Sequence, residues 1–556
     1  MVTTAPEEFP EGVSSEPAFP LGRRPLHEYV AHHADERPDA VAIDYYGAEI
    51  TYSELGDAID RFATFLDDRG YGRGDTVLLL LQNCPQYTVA YYAAQKLGMR
   101  VSPCSPLSKE HRVSYQLADG EARVAVAGDT HAGVLEAVRG ETPLEEIVYA
   151  RLETSLPAEP VPAIHEDVAA AIESERRPES DGVRYLDSIL AETPADPPSV
   201  EVAMDDICLL QYTSGTTGLP KGCMHSYANV LFAAATSSAL SERDADTRHL
   251  AVMPVFHVAG KLNAVDSPMI RGGTVVLLTR YEPEAYVEAL AAHEPTNGWI
   301  TTPMVREILP LIESDDREID SLESMPVTSF GQALTEDLCE EWAETTDSEM
   351  YEASYGLTET HTRDTFTQGL DVVEEGFVGK PVYETDIVIR DWATHEPVPR
   401  GETGEITVES PSLFEGYLGK PEETEAAFHD GYVLTGDIGR LTEDGQLYFL
   451  GRRKYMIKSS GFSIAPAEVE EVLKTHPDVA NAAVAGRDHE TRGAAVVAAV
   501  VPVDDGFDEG ELLEWAEDQL AAYKRPRDVV VLEELPVTDM GKLDREALED
   551  VVADHS

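Results

Sequence analysis

The sequence predicts an α/β protein with three kinds of region in order: doubly wound parallel sheets, a region of short β-strands, and a small α+β unit. Three observations carry this. From residue 75 to 117, apolar strand-like runs alternate with helical patterns, and the alternation resumes after residue 250. Such alternation implies parallel strands joined by helical crossovers. From residue 384 short strands with Gly and Asp turns take over, and beyond Gly451 helices return. A length of 556 residues is enough for several domains. The divisions read as an acidic lead-in at 1–25, a large unit at 26–453 and a small unit at 454–556.

In chain order, residues 1–25 contain Pro and many Glu and read as loosely packed. Residues 26–33 begin a helix. Residues 41–45 and 49–52 are strands around the turn Tyr46-Gly47-Ala48. Residues 53–69 form a helix capped by Ser53. A Val- and Leu-rich strand at 75–81 is followed by helix 86–97, a strand from Arg100, and helix 108–117. Residues 156–200, rich in Pro, Glu and Ala, read as a surface insertion with a helix or two. Residues 207–211 are a buried strand, and 229–239 a helix. Strands at 250–254, 274–278 and 326–330 surround helix 284–293, and residues 299–303 run from strand into turn. Short strands at 386–391, 404–409, 432–434 and 446–450 suggest a small β-barrel or distorted sheet. The last unit reads as helix 466–475, strands 479–485 and 494–501, helix 509–520 and strand 528–532.

Composition excludes several function classes. Asp and Glu number 104 against 42 Lys and Arg, a formal charge of −62. A polyanion would be repelled, so nucleic acid is excluded as a partner. Disorder is also excluded, because 42% of residues are hydrophobic and the strand patterns are regular. The acidity runs through the whole chain, as in proteins that stay hydrated in concentrated salt, and a halophilic source is expected. No long apolar run suggests a membrane span, and the first twenty residues lack a secretory pattern. A cytoplasmic location is expected. The five cysteines, Cys84, Cys104, Cys208, Cys223 and Cys339, show no paired spacing. They suggest neither disulfides nor a zinc site.

The densest chemistry lies at Tyr212-Thr213-Ser214-Gly215-Thr216-Thr217-Gly218-Leu219-Pro220-Lys221-Gly222. Glycines let backbone N–H groups approach an anion, hydroxyls add donors, and Lys221 adds a positive charge. A strand before it and a helix after it suggest a strand–loop–helix phosphate cradle. It is not the Walker pattern, since Lys221 is followed by Gly222. Four further segments stand out: Tyr355-Gly356-Leu357-Thr358-Glu359, Thr435-Gly436-Asp437, Gly451 to Gly461, and Pro536 to Arg545 with its Gly541-Lys542 pair. In so acidic a chain, Arg452, Arg453, Lys454 and Lys458 argue for an anionic partner.

In this order the motifs resemble the AMP-forming adenylation superfamily, specifically its acyl-CoA synthetase and fatty-acid–CoA ligase branch. The resemblance spans Tyr212 to Arg545, and more faintly reaches back to Leu26. It implies a large AMP-binding domain of two doubly wound subdomains plus a β-barrel, and a mobile C-terminal lid. It implies ATP, Mg2+ and CoA as cofactors and a carboxylic acid as substrate. The acid would be joined to ATP as an acyl-adenylate, releasing pyrophosphate, and then passed to a thiol.

The resemblance also implies roles. Thr213, Ser214, Gly215, Thr216, Thr217 and Lys221 would hold phosphates. Gly331, Gln332, Ala333, Tyr355 and Gly356 would bind the nucleotide, with Tyr355 stacking on adenine. Thr358 would donate to a phosphate and Glu359 would hold the metal. Asp437 would hold the ribose, and Arg452 the ribose or phosphate. Lys542 would be the adenylation lysine, with Lys458 a further catalytic residue. Lys454 would be the hinge, where many relatives have Asp. Gly461 would line the CoA tunnel, where a side chain would block the thiol.

Phe256-His257 stands where amino-acid-activating relatives carry Asp, which disfavours an α-amino acid. The acyl pocket would be lined by His257, Val258, Gly260, Lys261, Thr302, Gly331 and His361. Lys261, His361 and Arg363 are polar for an alkyl tunnel. Either the substrate is polar or doubly charged, or these side chains turn outward to an acid such as Asp266 or Asp364. A freestanding enzyme that loads a carrier protein is the alternative to CoA as acceptor. The oligomeric state stays open, a homodimer being one option.

Overall fold

The computed structural model describes residues 9–10, 13–173, 175–213, 219–241, 244–314, 319–329, 333–459, 462–464, 466–489, 493–504, 506–538 and 542–555. The first sheet runs, in spatial order, Val183–Tyr185, Glu146–Ala150, Ala122–Gly128, Thr76–Leu80, Arg100–Pro103, Ile207–Tyr212 and Gly222–Ser226. Its neighbours are parallel except the last pair. Strand Thr76–Leu80 is buried throughout and feeds two cores. Val77 and Leu79 face one cluster while Leu78 and Leu80 face another, the period-two consequence of a sheet covered on both faces. The 156–200 segment is more than a surface insertion. It holds helices Glu166–Ile172 and Leu186–Glu192, and its strand Val183–Tyr185 extends the sheet.

The second sheet has the order Ile300–Thr301, Ser324–Thr328, Asn297–Gly298, Arg248–Ala251, Thr274–Leu277, Val41–Tyr45 and Ala48–Thr51, with Glu349–Glu352 also on Ser324–Thr328. The early hairpin 41–51 therefore crosses to the sheet built from residues after 248. Helices Pro85–Lys96 and Tyr227–Leu240 are buried almost all round, as helices inside a large core must be. One apolar cluster takes side chains from both sheets, so the two subdomains share a core.

Three local expectations are corrected. The helix Tyr52–Asp68 is capped by Thr51, not Ser53: Thr51 and Glu54 form a reciprocal capping box. Thr302 opens a helix, Thr302–Ser314, where a turn was expected. The described part of the lead-in, residues 9–10 and 13–25, is packed rather than loose. Val13 and Ala18 are buried, Phe9 stacks on Phe366 at 5.0 Å, and the Tyr383 hydroxyl donates to the Ser14 carbonyl at 2.7 Å. Burial of these few apolar side chains outweighs the acidic, Pro-rich composition.

The β region is an antiparallel sheet ordered Thr365–Phe366, Phe377–Pro381, Leu447–Arg452, Tyr432–Leu441, Thr403–Glu409 and Asp386–Arg390, with Phe428–His429 on Tyr432–Leu441. It closes on its own cluster around Ile387, Ile406, Val408, Phe414 and Val433. The last unit is a sheet of Phe462–Ile464, Ile457–Ser459, Gly493–Pro502 and Val479–His489, joined by Asp528–Val531. Along Val479–His489, Ala482 and Val484 face one core while Ala483 and Ala485 face another. The second core is closed by the helix Arg545–Asp554 through Leu548 and Val552.

Candidate active site

The glycine-rich segment joins two antiparallel strands, Ile207–Tyr212 and Gly222–Ser226. Tyr212 pairs with Gly222 across antiparallel strands, and the strand Gly222–Ser226 separates the loop from the helix Tyr227–Leu240. This corrects the strand–loop–helix expectation: an anion here would rely on loop N–H groups and Lys221, not on a helix dipole. Thr213 and Lys221 close the loop. The Thr213 amide donates to the Lys221 carbonyl at 3.0 Å, and the Lys221 amide to Thr213 Oγ1 at 3.3 Å. Ser214, Gly215, Thr216 and Thr217 lie outside the described residues, as do Gly331, Gln332 and Gly461. Ala333, which follows two of these, is half-buried.

Lys221 Nζ is 3.2 Å from Glu423 Oε2 and 4.2 Å from the centre of the Tyr417 ring. Cation–ring attraction fixes it there. The Tyr417 hydroxyl donates to Glu359 Oε1 at 2.8 Å, so one aromatic side chain ties the loop lysine to the candidate metal carboxylate. Tyr417 was missed in the sequence. Its only signal was a Gly-Tyr pair in a loop, and nothing local names its partners.

The segment 355–359 is folded back on itself. A Cβ at Gly356 would fall 2.0 Å from the Thr362 carbonyl oxygen, so only glycine fits. The Tyr355 hydroxyl donates to Asp437 Oδ2 at 2.8 Å. Asp437 Oδ1 is ion-paired with Arg452 Nε at 2.6 Å, and the two residues are register partners on adjacent strands. Burial raises the Asp437 carboxyl above its ordinary range, and Arg452 opposes that shift. The Thr358 carbonyl contacts His225 Nε2 at 2.9 Å, a support the sequence gave no sign of.

Lys542 of the small unit lies within electrostatic reach of this cluster. Lys542 lies in a turn closed by the Thr538 amide donating to its carbonyl at 2.7 Å. Burial and the charge of Arg452 push its ammonium down to about 8, while Asp437 pulls the other way. His257 is held at about 3 by burial and by the charge of Lys542. Lys542 thus sits within electrostatic reach of both the Asp437–Arg452 pair and His257. Arg545 anchors the same motif, ion-pairing with Glu470 at 2.6 Å and donating to the Val484 carbonyl at 3.1 Å. Lys454 is exposed in the turn Arg453–Tyr455, between the last strand of the β region and the first of the small unit. Lys458 is exposed on the strand Ile457–Ser459, outside this cluster.

His257 caps the helix Val258–Lys261, its Nδ1 accepting from the Ala259 amide at 3.3 Å. Val258 and Thr302 are buried. The missing side chain of Gly260 lies against the Pro254 backbone, where a Cβ would be 2.0 Å from the carbonyl oxygen, so close packing accounts for that glycine. Lys261 and His361 do not turn outward. Both are 0% exposed, and Lys261 is ion-paired with Asp266, which is also 0% exposed. Arg363 is buried as well. Asp364 takes a hydrogen bond from Thr360, and burial pushes its carboxyl up to about 8.

Two α/β subdomains, a β sheet and a small unit whose lysine lies within electrostatic reach of a carboxylate–arginine pair define a two-part nucleotide-handling enzyme. The profile of the AMP-binding enzyme family matches residues 30–418, and that of the AMP-binding enzyme C-terminal domain matches 468–542. The chain belongs to this family, as an AMP-forming acid–thiol ligase that uses ATP, Mg2+ and CoA. A long-chain-fatty-acid–CoA ligase of Bacillus subtilis is 30% identical, over 99% of this chain and 98% of its own. The o-succinylbenzoate CoA synthetase of Bacillus subtilis, solved with its acyl-adenylate, has a TM-score of 0.78 at 29% identity, covering 95% of this chain and 98% of that one. MatB from Rhodopseudomonas palustris, 25% identical over 96% of this chain and 99% of its own, gives a TM-score of 0.81 with ATP bound and 0.71 without.

Proposed function

We propose that the chain activates a carboxylic acid in two half-reactions, and that the structure is arranged for the first. A carboxylate oxygen attacks the α-phosphorus of ATP and pyrophosphate leaves. The CoA thiol then attacks the acyl carbon and AMP leaves. The observation that carries this reading is that Lys542 of the small unit lies within electrostatic reach of both the pocket residue His257 and the Asp437–Arg452 pair. A cation there meets the charge that builds between carboxylate and α-phosphate. The higher score against ATP-bound than apo MatB, at equal identity and coverage, supports the same arrangement.

In this reading Thr213 to Thr217 and Lys221 take the outer phosphates, and Gly331, Gln332, Ala333, Tyr355 and Gly356 take the base. Thr358 donates to a phosphate. Asp437 accepts from the ribose hydroxyls, sharing its lone pairs with Tyr355 and Arg452. Mg2+ is commonly held by one or two carboxylates plus substrate phosphates. Glu359 fits this: Tyr417 takes Oε1, and among the described residues Oε2 has no hydrogen bond. The bound metal would neutralise phosphate charge. Lys454, in the connecting turn, is the pivot. Lys458 and Gly461 belong to the face that the turned small unit would present to CoA. CoA ligases among the relatives support CoA over a carrier protein. A cytoplasmic location, where ATP and CoA are held, completes the reading.

The test is a panel of acids with ATP, in concentrated salt, with and without CoA, following AMP, ADP and pyrophosphate. AMP and pyrophosphate are expected, with acyl-CoA once CoA is added. ADP in place of AMP would overturn the reading.

A further inference from the structure

The lysine of the glycine-rich segment already has a carboxylate for a partner. Lys221 Nζ lies 3.2 Å from Glu423 Oε2, and both side chains are partly open to solvent, 34% and 49% exposed. Glu423 stands on the short helix Pro421–Ala426, far from Lys221 in the sequence.

The backbone explains why they meet. Residues 415–418 run beside the strand Gly222–Ser226. Cys223 and Tyr417 form an antiparallel bridge. The Glu415 amide donates to the Met224 carbonyl at 2.8 Å, the Met224 amide to the Gly416 carbonyl at 3.0 Å, and the Leu418 amide to the Gly222 carbonyl at 2.8 Å. The chain then turns through Lys420 into the helix. Thr424 Oγ1 locks this turn, donating to the Lys420 carbonyl at 2.9 Å and accepting from the Tyr417 amide at 2.9 Å. Lys221, next to Gly222, and Glu423 are therefore held on one backbone frame.

As a stabiliser, a half-exposed ion pair contributes little. Its position matters more. Lys221 Nζ rests on the Tyr417 ring, and the Tyr417 hydroxyl donates to Glu359 Oε1, so Lys221 and Glu359 share one tyrosine side chain. In the reading above both residues face the outer phosphates, Glu359 through Mg2+. A phosphate oxygen on Lys221 would stand beside the Glu423 carboxylate, and like charges at that range repel. Glu423 has a second cation to fall back on: Lys420 Nζ lies 3.8 Å from its Oε1. It is not left without a counter-charge when Lys221 turns to a phosphate.

We propose that Glu423 exchanges with the outer phosphates of ATP as the partner of Lys221, and so weakens the hold on ATP and on the pyrophosphate formed from it. This rests on the ligase reading above, in which Lys221 takes those phosphates. Glu423 covers the lysine in the free protein, yields to ATP, and returns as pyrophosphate leaves. AMP has no outer phosphate and does not sense the exchange.

The test is equilibrium binding of ATP, pyrophosphate and AMP, each with Mg2+, to the full chain and to its Glu423→Gln variant. It is run at the lowest KCl concentration that keeps the protein folded, where screening is weakest. The variant is expected to bind ATP and pyrophosphate about two- to fivefold more tightly, the scale of one half-exposed ion pair, and to bind AMP as the wild type does. In a Lys221→Met background the same change should have no effect, because the shared partner is gone. Unchanged or weaker binding of ATP and pyrophosphate would overturn the proposal. So would an equal gain for AMP, the mark of a general charge effect, or a gain that survives without Lys221. The comparison with AMP decides even if the Lys221 variant binds too weakly to measure. No acid is needed, so failure here leaves the ligase reading standing; that reading falls if ATP with every acid yields ADP in place of AMP.

Discussion

Tyr355 and Asp437, 82 positions apart in sequence, meet at 2.8 Å through a hydroxyl-to-carboxylate hydrogen bond, and Arg452 pairs with the other carboxylate oxygen at 2.6 Å. The three residues come from three separate motifs, Arg452 closing the strand Leu447–Arg452. If these residues hold the nucleotide as proposed, the Asp437–Arg452 pair ties that site to the strand leading into the turn at Lys454. Arg452→Gln should raise the KM for ATP by about tenfold or more, ~1.4 kcal/mol, and Tyr355→Phe by less, since Arg452 still holds the carboxylate. Unchanged ATP kinetics in both variants would remove the trio from nucleotide binding.

Lys542 should be needed for one half-reaction only. Lys542→Ala should nearly abolish adenylate formation yet spare thioester formation from supplied acyl-adenylate. Equal loss of both steps would show that the role is wrong. Because its ammonium is depressed to about 8 in the free protein, and the cation is the working form, kcat/KM for adenylation should fall as pH rises through about 8. kcat/KM reports groups of the free enzyme. A profile flat to pH 10 would contradict this.

Asp364 sets an alkaline limit on stability. Its carboxyl titrates near 8 when folded, against ~3.9 in an unfolded chain. The folded protein thus holds a proton that the unfolded chain releases between these values. Stability attached to this group falls as pH rises from about 4 to 8. Asp364→Asn should gain stability relative to wild type towards pH 9, and the gain should shrink at pH 5. Urea unfolding at both pH values measures it.

Gly356→Ala would put a methyl group 2.0 Å from the Thr362 carbonyl oxygen. Overpacking typically costs ~1–3 kcal/mol, more when backbone must move. A lowered Tm and weakened ATP binding are expected together. A normal Tm would mean that the segment relaxes at little cost.

Charge predicts a salt requirement. With a net −62, self-repulsion opposes the compact state, and at 1 M salt it is screened within ~3 Å. Tm should rise steadily with KCl into the molar range. Equal stability in dilute buffer would end the halophilic reading.

Motif order and the broad alternation of helix and strand were legible in the residues, because they depend on neighbours a few positions away; the strand Gly222–Ser226 and the helix Thr302–Ser314 were not. Thr435-Gly436-Asp437 and the Gly541-Lys542 pair were picked out by their match, in order, to the family's motifs. Tyr417 was not, since its two partners, Lys221 and Glu359, are distant in sequence. The same holds for the choice between a buried and an outward Lys261. That choice turned on the π-helical turn Leu262–Asp266, and helical periodicity carries no signal for one.

By itself, then, the chain's sequence determined an adenylating α/β enzyme with a separate small unit, since hydrophobic period and short phosphate-binding motifs are local properties. Tertiary structure alone decided that hairpin 41–51 joins the later sheet, that the glycine-rich segment joins two antiparallel strands, and that Lys542 comes within electrostatic reach of the Asp437–Arg452 pair. Those outcomes depend on which distant surfaces bury each other, and strand partners and ion pairs far apart in the chain are chosen by that shared burial.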